Sequence, residues 1–145
     1  MAIRSGGTDQ PTAGSLTGSW TGRYDYANPA DGEPVAFDAV LTQTGPTLRG
    51  ETVETNTFCD SAGDTLIAVL SGTRRGGSVR FLKTYTDFDA NSQPSYEGEV
   101  NATATRITGR WYFADAPHVH GTFLMARTRS AAVRRPAEAA AVIDA

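Results

Sequence analysis

The chain has 145 residues, with 13 Lys plus Arg against 16 Asp plus Glu, and a net charge of −3. That length supplies one domain with a sizeable core, and the acidic balance, with aromatic residues held apart from basic clusters, gives no nucleic-acid surface. A single cysteine, Cys59, excludes an intrachain disulfide and fits a reducing compartment.

Met1 to Ser15 lacks the apolar centre of a signal peptide, and no apolar run approaches the length of a membrane helix. The expectation is a cytoplasmic protein with no membrane partner. Asn101-Ala102-Thr103 fits a glycosylation sequon, which carries no meaning without secretion.

Residues 1–14 are a polar mix of Gly, Ser, Thr and Pro and read as a flexible N-terminal arm. Eight segments with a two-residue rhythm follow within residues 15–128. The first runs Ser19 to Tyr26 and is closed by Asn28-Pro29-Ala30-Asp31-Gly32. The second runs Pro34 to Gln43, with Val35, Phe37, Ala39 and Leu41 on one face. Thr44-Gly45-Pro46 turns the chain into a third strand, Leu48 to Glu54, before a longer loop from Thr55 to Gly63.

The fourth strand, Thr65 to Gly72, is apolar on both faces, so its pattern names no inner side. Arg74-Arg75-Gly76-Gly77 reads as a hairpin turn into the fifth strand, Ser78 to Thr86. A polar loop from Asp87 to Pro94 leads to the sixth strand, Ser95 to Ala102. The seventh runs Arg106 to Ala114 and, after Asp115-Ala116-Pro117, the eighth runs Val119 to Thr128. Residues 129–145 form a C-terminal tail in which Pro136 to Ala145 favours helix but is too short to stand alone.

Short connections make sequence neighbours pair in space. The predicted fold is therefore all-β, an eight-stranded antiparallel up-and-down β-barrel. A two-sheet sandwich with Greek-key crossings is the alternative and asks for longer connections.

Parity set from Trp20 gives the inward residues. They include Gly22 and Tyr24, then Leu48, Gly50, Thr52 and Glu54, then Val79, Phe81, Lys83 and Tyr85. Tyr96, Gly98 and Val100, then Ile107, Gly109, Trp111 and Phe113, and finally Val119, Gly121, Phe123 and Met125 complete them. The opposite parity is mostly polar, as a solvated outer face requires.

Gly18-Ser19-Trp20-Thr21-Gly22 resembles the opening of avidin-like and lipocalin-like barrels, in which the Trp plugs one end of the core. Leu48-Arg49-Gly50-Glu51-Thr52 resembles the avidin-family third strand, and Thr108-Gly109-Arg110-Trp111-Tyr112-Phe113 its seventh. The resemblance implies that Trp111 and Phe113 line a ligand pocket and that Tyr96 is the inward aromatic of the sixth strand. Lys83 stands where avidins place an aromatic residue against biotin, so the resemblance does not extend to biotin. Phe81, Lys83 and Tyr85, followed by Tyr96 and Gly98, are similar to a strand motif of small uncharacterised bacterial barrels. That likeness implies a fold and no activity.

The inward set is apolar at one end and gathers Tyr24, Glu54, Lys83, Tyr85 and Tyr96 at the other, the composition of a small-molecule site. A Lys at the barrel rim would keep its ammonium in water, and Glu54 at a strand end beside a loop would be solvated. If both point inward, Glu54 offsets the desolvation of Lys83 and the pair fixes a carboxylate or carbonyl.

The first functional reading is a binding barrel holding a small hydrophobic or amphipathic molecule. Phe81, Tyr96, Trp111 and Phe113 form its walls, and Tyr24, Glu54, Lys83 and Tyr85 orient the polar end. The second is a cofactor-free cyclase or isomerase with Lys83 or Tyr85 as acid and Glu54 as base. The third is a barrel filled by its own side chains. His118 and His120, two apart on the outward parity, prompt a haem alternative that lipocalin-like haem barrels suggest; solvated loop histidines are the plainer reading. No metal set is spaced with them. Asp60 beside Cys59 disfavours a thiolate nucleophile. Arg127, Arg129, Arg134 and Arg135 read as a solvated basic stretch, and outward Val40, Val53, Leu82, Tyr112 and Leu124 as a patch for a homodimer.

Overall fold

A computed structural model describes residues 14–87 and 93–128. The proposed C-terminal helix, and all of the proposed arm except Gly14, lie outside the described residues.

Eight antiparallel strands close into one barrel in simple sequence order. They are β1 (Gly18–Tyr26), β2 (Val35–Thr44), β3 (Thr47–Thr55) and β4 (Thr65–Arg75), then β5 (Ser78–Tyr85), β6 (Pro94–Val100), β7 (Arg106–Phe113) and β8 (Ala116–Arg127). β8 returns to pair with β1, from Trp20 opposite Arg127 to Tyr26 opposite Gly121. Closure leaves no unpaired edge, which the two-sheet alternative would have kept.

Alternating residues in phase with Trp20 face inward on every strand except β4, where the sequence pattern named no inner side. Trp20, Tyr24, Phe37, Leu41, Thr52, Phe81, Trp111, Phe123 and Met125 are buried, and Arg23, Arg49, Glu51, Arg80 and Arg110 face out. For β4, Leu66, Ala68 and Leu70 are buried while Val69 is exposed. An outward Ile67 and Val69 explain why its pattern was silent.

Strand limits differ from the sequence expectation by two residues or more at three hairpins; β6 ends at Val100, so Asn101 and Ala102 lie outside it. Arg74 and Arg75 belong to β4, so the turn is only Gly76-Gly77. Gly76 has φ +62° and Gly45, at the β2–β3 turn, φ +58°; a left-handed first turn residue suits the twist of a two-residue hairpin. At the other end, Ala116 and Pro117 lie in β8 rather than in a loop, because the register slips between Tyr112 and Phe113 and Phe113 pairs with Ala116.

One barrel end is sealed. Trp20 donates from Nε1 to the Leu16 carbonyl at 2.9 Å. The Arg127 guanidinium lies 4.6 Å from the centroid of that ring. It donates to the carbonyls of Ser15 at 2.6 Å, Thr17 at 2.9 Å and Ala104 at 3.0 Å. Arg127 is thus a half-buried clamp and not a solvated charge; Arg129, Arg134 and Arg135 lie outside the described residues. The connections at the opposite end, 27–34, 56–64 and 114–115, frame the site.

Candidate functional site

Strand alternation carries the same face of each strand to the open end, so the last inward residues of β1, β3, β5 and β7 and the first of β6 converge there. β1 ends with Tyr24 and Tyr26, β5 with Lys83 and Tyr85, and β7 with Trp111 and Phe113. Two local devices complete the rim. Asn28 accepts from the Ala30 amide at 3.0 Å and starts a short 3-10 turn, Pro29–Asp31. Asn56 accepts from the amides of Phe58 at 3.1 Å and Cys59 at 2.9 Å, and donates to the carbonyls of Cys59 and Gly63. This folds the β3–β4 loop so that Phe58 meets Tyr85 edge-on, with centroids 5.5 Å apart.

The space at this open end is a cavity of about 330 Å³. Tyr24, Tyr26, Tyr85, Tyr96, Trp111 and Phe113 line it, and Asp31, Phe58, Pro94 and Val119 stand nearer the mouth. Trp111 meets Tyr24 at 5.7 Å and Tyr26 at 5.1 Å, both edge-to-face. Its indole Nε1 donates to the Asp25 carbonyl at 3.0 Å, which locks the ring. Gly121 permits this: a side chain there would collide with the Asp25 carbonyl and crowd the indole nitrogen.

Beneath the cavity lies a polar cluster. Glu54 Oε1 accepts from Lys83 Nζ at 2.6 Å, and Oε2 from the Tyr24 hydroxyl at 2.7 Å. The Tyr85 hydroxyl bridges both oxygens at 3.2 and 3.1 Å. The side chains of Lys83 and Glu54 are 2% and 0% exposed, so neither is solvated at the rim. Glu54 faces the lumen because the β3 alternation continues to its last turnward residues, and β4 covers it by pairing as far as Thr55 opposite Thr65. β4 separates Glu54 from Lys83, and the inward residue between them is the small Ala68.

Burial pulls the Lys83 ammonium below its ordinary value, and Glu54 opposes that shift. Lys83 Nζ also lies 4.6 Å from the Tyr24 ring centroid and 4.9 Å from that of Tyr85, so aromatic faces replace part of its hydration. Burial first, then the charge of Tyr85 and of Glu54, pushes the Tyr24 phenol far above the usual range. Tyr85 is pushed up by burial and then by Glu54. Both phenols therefore stay protonated, as donors to a carboxylate must.

Five of the eight residues nominated from the sequence, Tyr24, Tyr85, Tyr96, Trp111 and Phe113, line the cavity. Glu54 and Lys83 lie behind Tyr24 and Tyr85. Phe81 sits deeper, stacked on Tyr96 at 5.1 Å with the planes 8° apart. Sequence reasoning missed Tyr26, Asp31, Phe58 and Pro94 as lining groups. Tyr26 shares the parity of Tyr24, which was a usable signal. Phe58, an aromatic in an otherwise polar loop, was a second.

His118 and His120 are exposed, and Cys59 makes a 3.3 Å contact with the Ser61 hydroxyl. Among the described residues, no three His, Cys, Asp or Glu side chains come together as a metal site. A larger groove, about 780 Å³, runs over the outer faces of β4 to β7. Its charged walls are outward side chains: Glu97 holds Arg80 at 2.7 Å and Arg110 at 2.9 Å. Exposed charges on a sheet exterior do not exclude water, so the internal cavity is the better candidate.

A closed up-and-down barrel of eight strands, sealed at one end and aromatic at the other, fits a lipocalin-like or avidin-like small barrel at the level of fold alone. No protein-family model matches the sequence, and no curated protein matches it. Among the described residues no helix is long and apolar enough to cross a membrane.

Proposed function

We propose that the barrel binds a small, partly apolar molecule in the cavity at its open end, with the molecule's polar end seated on the tyrosine floor. The observation that carries this reading is the coincidence, in about 330 Å³, of aromatic walls with phenol hydroxyls tied to a fully buried ion pair. Such a volume suits a small organic ligand. Affinity would come chiefly from apolar burial, roughly 25 cal/mol per Å² before association costs. A reducing, cytoplasmic setting belongs to the same proposal and rests on Cys59 being a free thiol.

A cyclase or isomerase needs a proton donor within hydrogen-bond reach of its substrate. Tyr85 lines the cavity, but Lys83 and Glu54 stand behind it and are spent on each other. This arrangement supports a holding role better than acid–base turnover.

Native mass spectrometry of the full chain purified from its own host tests the reading. The expected result is an adduct that disappears on denaturation and is lost from Val119→Trp, a substitution that fills the mouth without touching the floor. Identical native and denatured masses for the unaltered protein would overturn it.

A further inference from the structure

We infer that the ligand's polar end is an organic ammonium group, held by the aromatic rings of Tyr24, Tyr26 and Trp111. This deepens the binding proposal above and rests on it.

Charge is the first argument. Asp31 is the one formally charged side chain among the described lining residues, and it stands exposed at the mouth beside Gly32, which packs on the Tyr26 ring. No Lys, Arg or His is among those residues. An anionic ligand would meet a carboxylate at the entrance and no cation inside.

Lys83 was the group expected to receive a carboxylate or carbonyl. It does not line the cavity, and its ammonium is already neutralised by Glu54 at 2.6 Å. For the same reason it presents a neutral pair, not a bare positive charge, to a cation above it.

Hydrogen-bond polarity is the second argument. A phenol has one proton. Tyr24 directs its proton to Glu54 at 2.7 Å, and Tyr85 directs its own to the same carboxylate. Neither hydroxyl has a proton left for a ligand, so both disfavour a carboxylate or carbonyl.

Ring geometry is the third. Tyr26 and Trp111 stand at 90° and Tyr24 and Trp111 at 78°, and Tyr24 meets Tyr26 at 63°, so three cavity-lining rings pack mutually at steep angles. Aromatic faces attract ammonium groups, since the ring quadrupole is negative over the face. The barrel already uses the chemistry once, where Tyr24 and Tyr85 cover Lys83 Nζ.

Three probes of one size separate the possibilities: benzylammonium, benzyl alcohol and benzoate, titrated at neutral pH into the full chain. The readout is the indole N–H resonance of Trp111, with Trp20 at the sealed end as an internal control; these are the two tryptophans of the chain. The expected result is that benzylammonium shifts Trp111 and not Trp20, and binds about tenfold more tightly than benzyl alcohol. Benzoate is weakest. Asp31→Asn should weaken benzylammonium about threefold and leave benzyl alcohol unchanged. Equal or tighter binding of benzyl alcohol or benzoate overturns the ammonium inference and leaves the binding cavity standing. No shift of Trp111 by any of the three, up to their solubility limits, overturns the cavity and the inference together.

Discussion

Lys83 Nζ lies 2.6 Å from Glu54 Oε1, and the residues are on strands separated by β4. Removing two charges from water costs more than most such pairs return, so stability alone does not account for the pair. Its structural effect is orientation: Glu54 collects the hydroxyl protons of Tyr24 and Tyr85 and fixes both rings. Glu54→Gln leaves a buried ammonium without its counter-charge and should cost about 3–5 kcal/mol. The double variant Glu54→Leu/Lys83→Met should cost less than the sum of its single changes, by a coupling of about 1–3 kcal/mol. Urea unfolding of the four proteins measures this; strictly additive costs would mean that the two groups do not act as a pair.

The tyrosines give an alkaline signature. All five of the chain, Tyr24, Tyr26, Tyr85, Tyr96 and Tyr112, are raised above the phenol value of 10.0. Burial is the main cause for the first four, and a hydrogen bond to Glu97 for Tyr112. A raised value means that the fold favours the neutral phenol. The associated stability is fully present below pH 10 and is lost as the pH climbs beyond it. Absorbance at tyrosinate wavelengths should stay low in the native protein at pH 10, then rise together with unfolding. Half-ionised phenols in a folded protein at pH 10 would contradict the buried network.

Much of this site was readable from spacing, and the unread part has a physical cause. Two-residue alternation is local, so it gave the inward set of seven strands and brought Tyr24, Lys83 and Trp111 to a shared lumen. Which inward residues touch depends on register, which is not local. Glu54 reaches Lys83 across Ala68 only because β3 pairs with β4 through Thr55 and Thr65, and nothing in either strand announces that offset. The solvated expectation for Glu54 failed for this reason. β4 was silent because apolar residues lie on both its faces. The rim residues Asp31 and Phe58 belong to loops shaped by Asn28 and Asn56, where periodicity has no purchase.

At the sealed end, Arg127 combines a stacked ring with carbonyl partners from three residues, a planar arrangement that an ammonium cannot reproduce. Arg127→Met should destabilise the barrel by about 2–3 kcal/mol, and Arg127→Lys should recover only part of that. Because Trp20 and the cavity occupy opposite ends, benzylammonium affinity should be unchanged in either variant, provided the protein is folded. A loss of affinity equal to that of a cavity variant would show that the two ends are coupled.

Phe81 and Phe113 separate core from cavity. Phe81 is 7% exposed and stacks on Tyr96 below the site, whereas Phe113 is half-buried at the rim and meets Trp111 edge-on at 6.1 Å. Truncating the first removes packed core volume. Phe81→Ala should therefore cost about 3–5 kcal/mol of stability. Phe113→Ala should cost about 1 kcal/mol, since the ring is already partly in water. Binding should respond in the opposite order. Phe113→Ala takes away a cavity wall and should weaken benzylammonium several-fold at nearly native stability. Paired urea melts and Trp111 titrations decide the matter. If Phe113→Ala proves as damaging to the fold as Phe81→Ala while leaving affinity intact, the rim aromatics are filling and the open end holds no ligand.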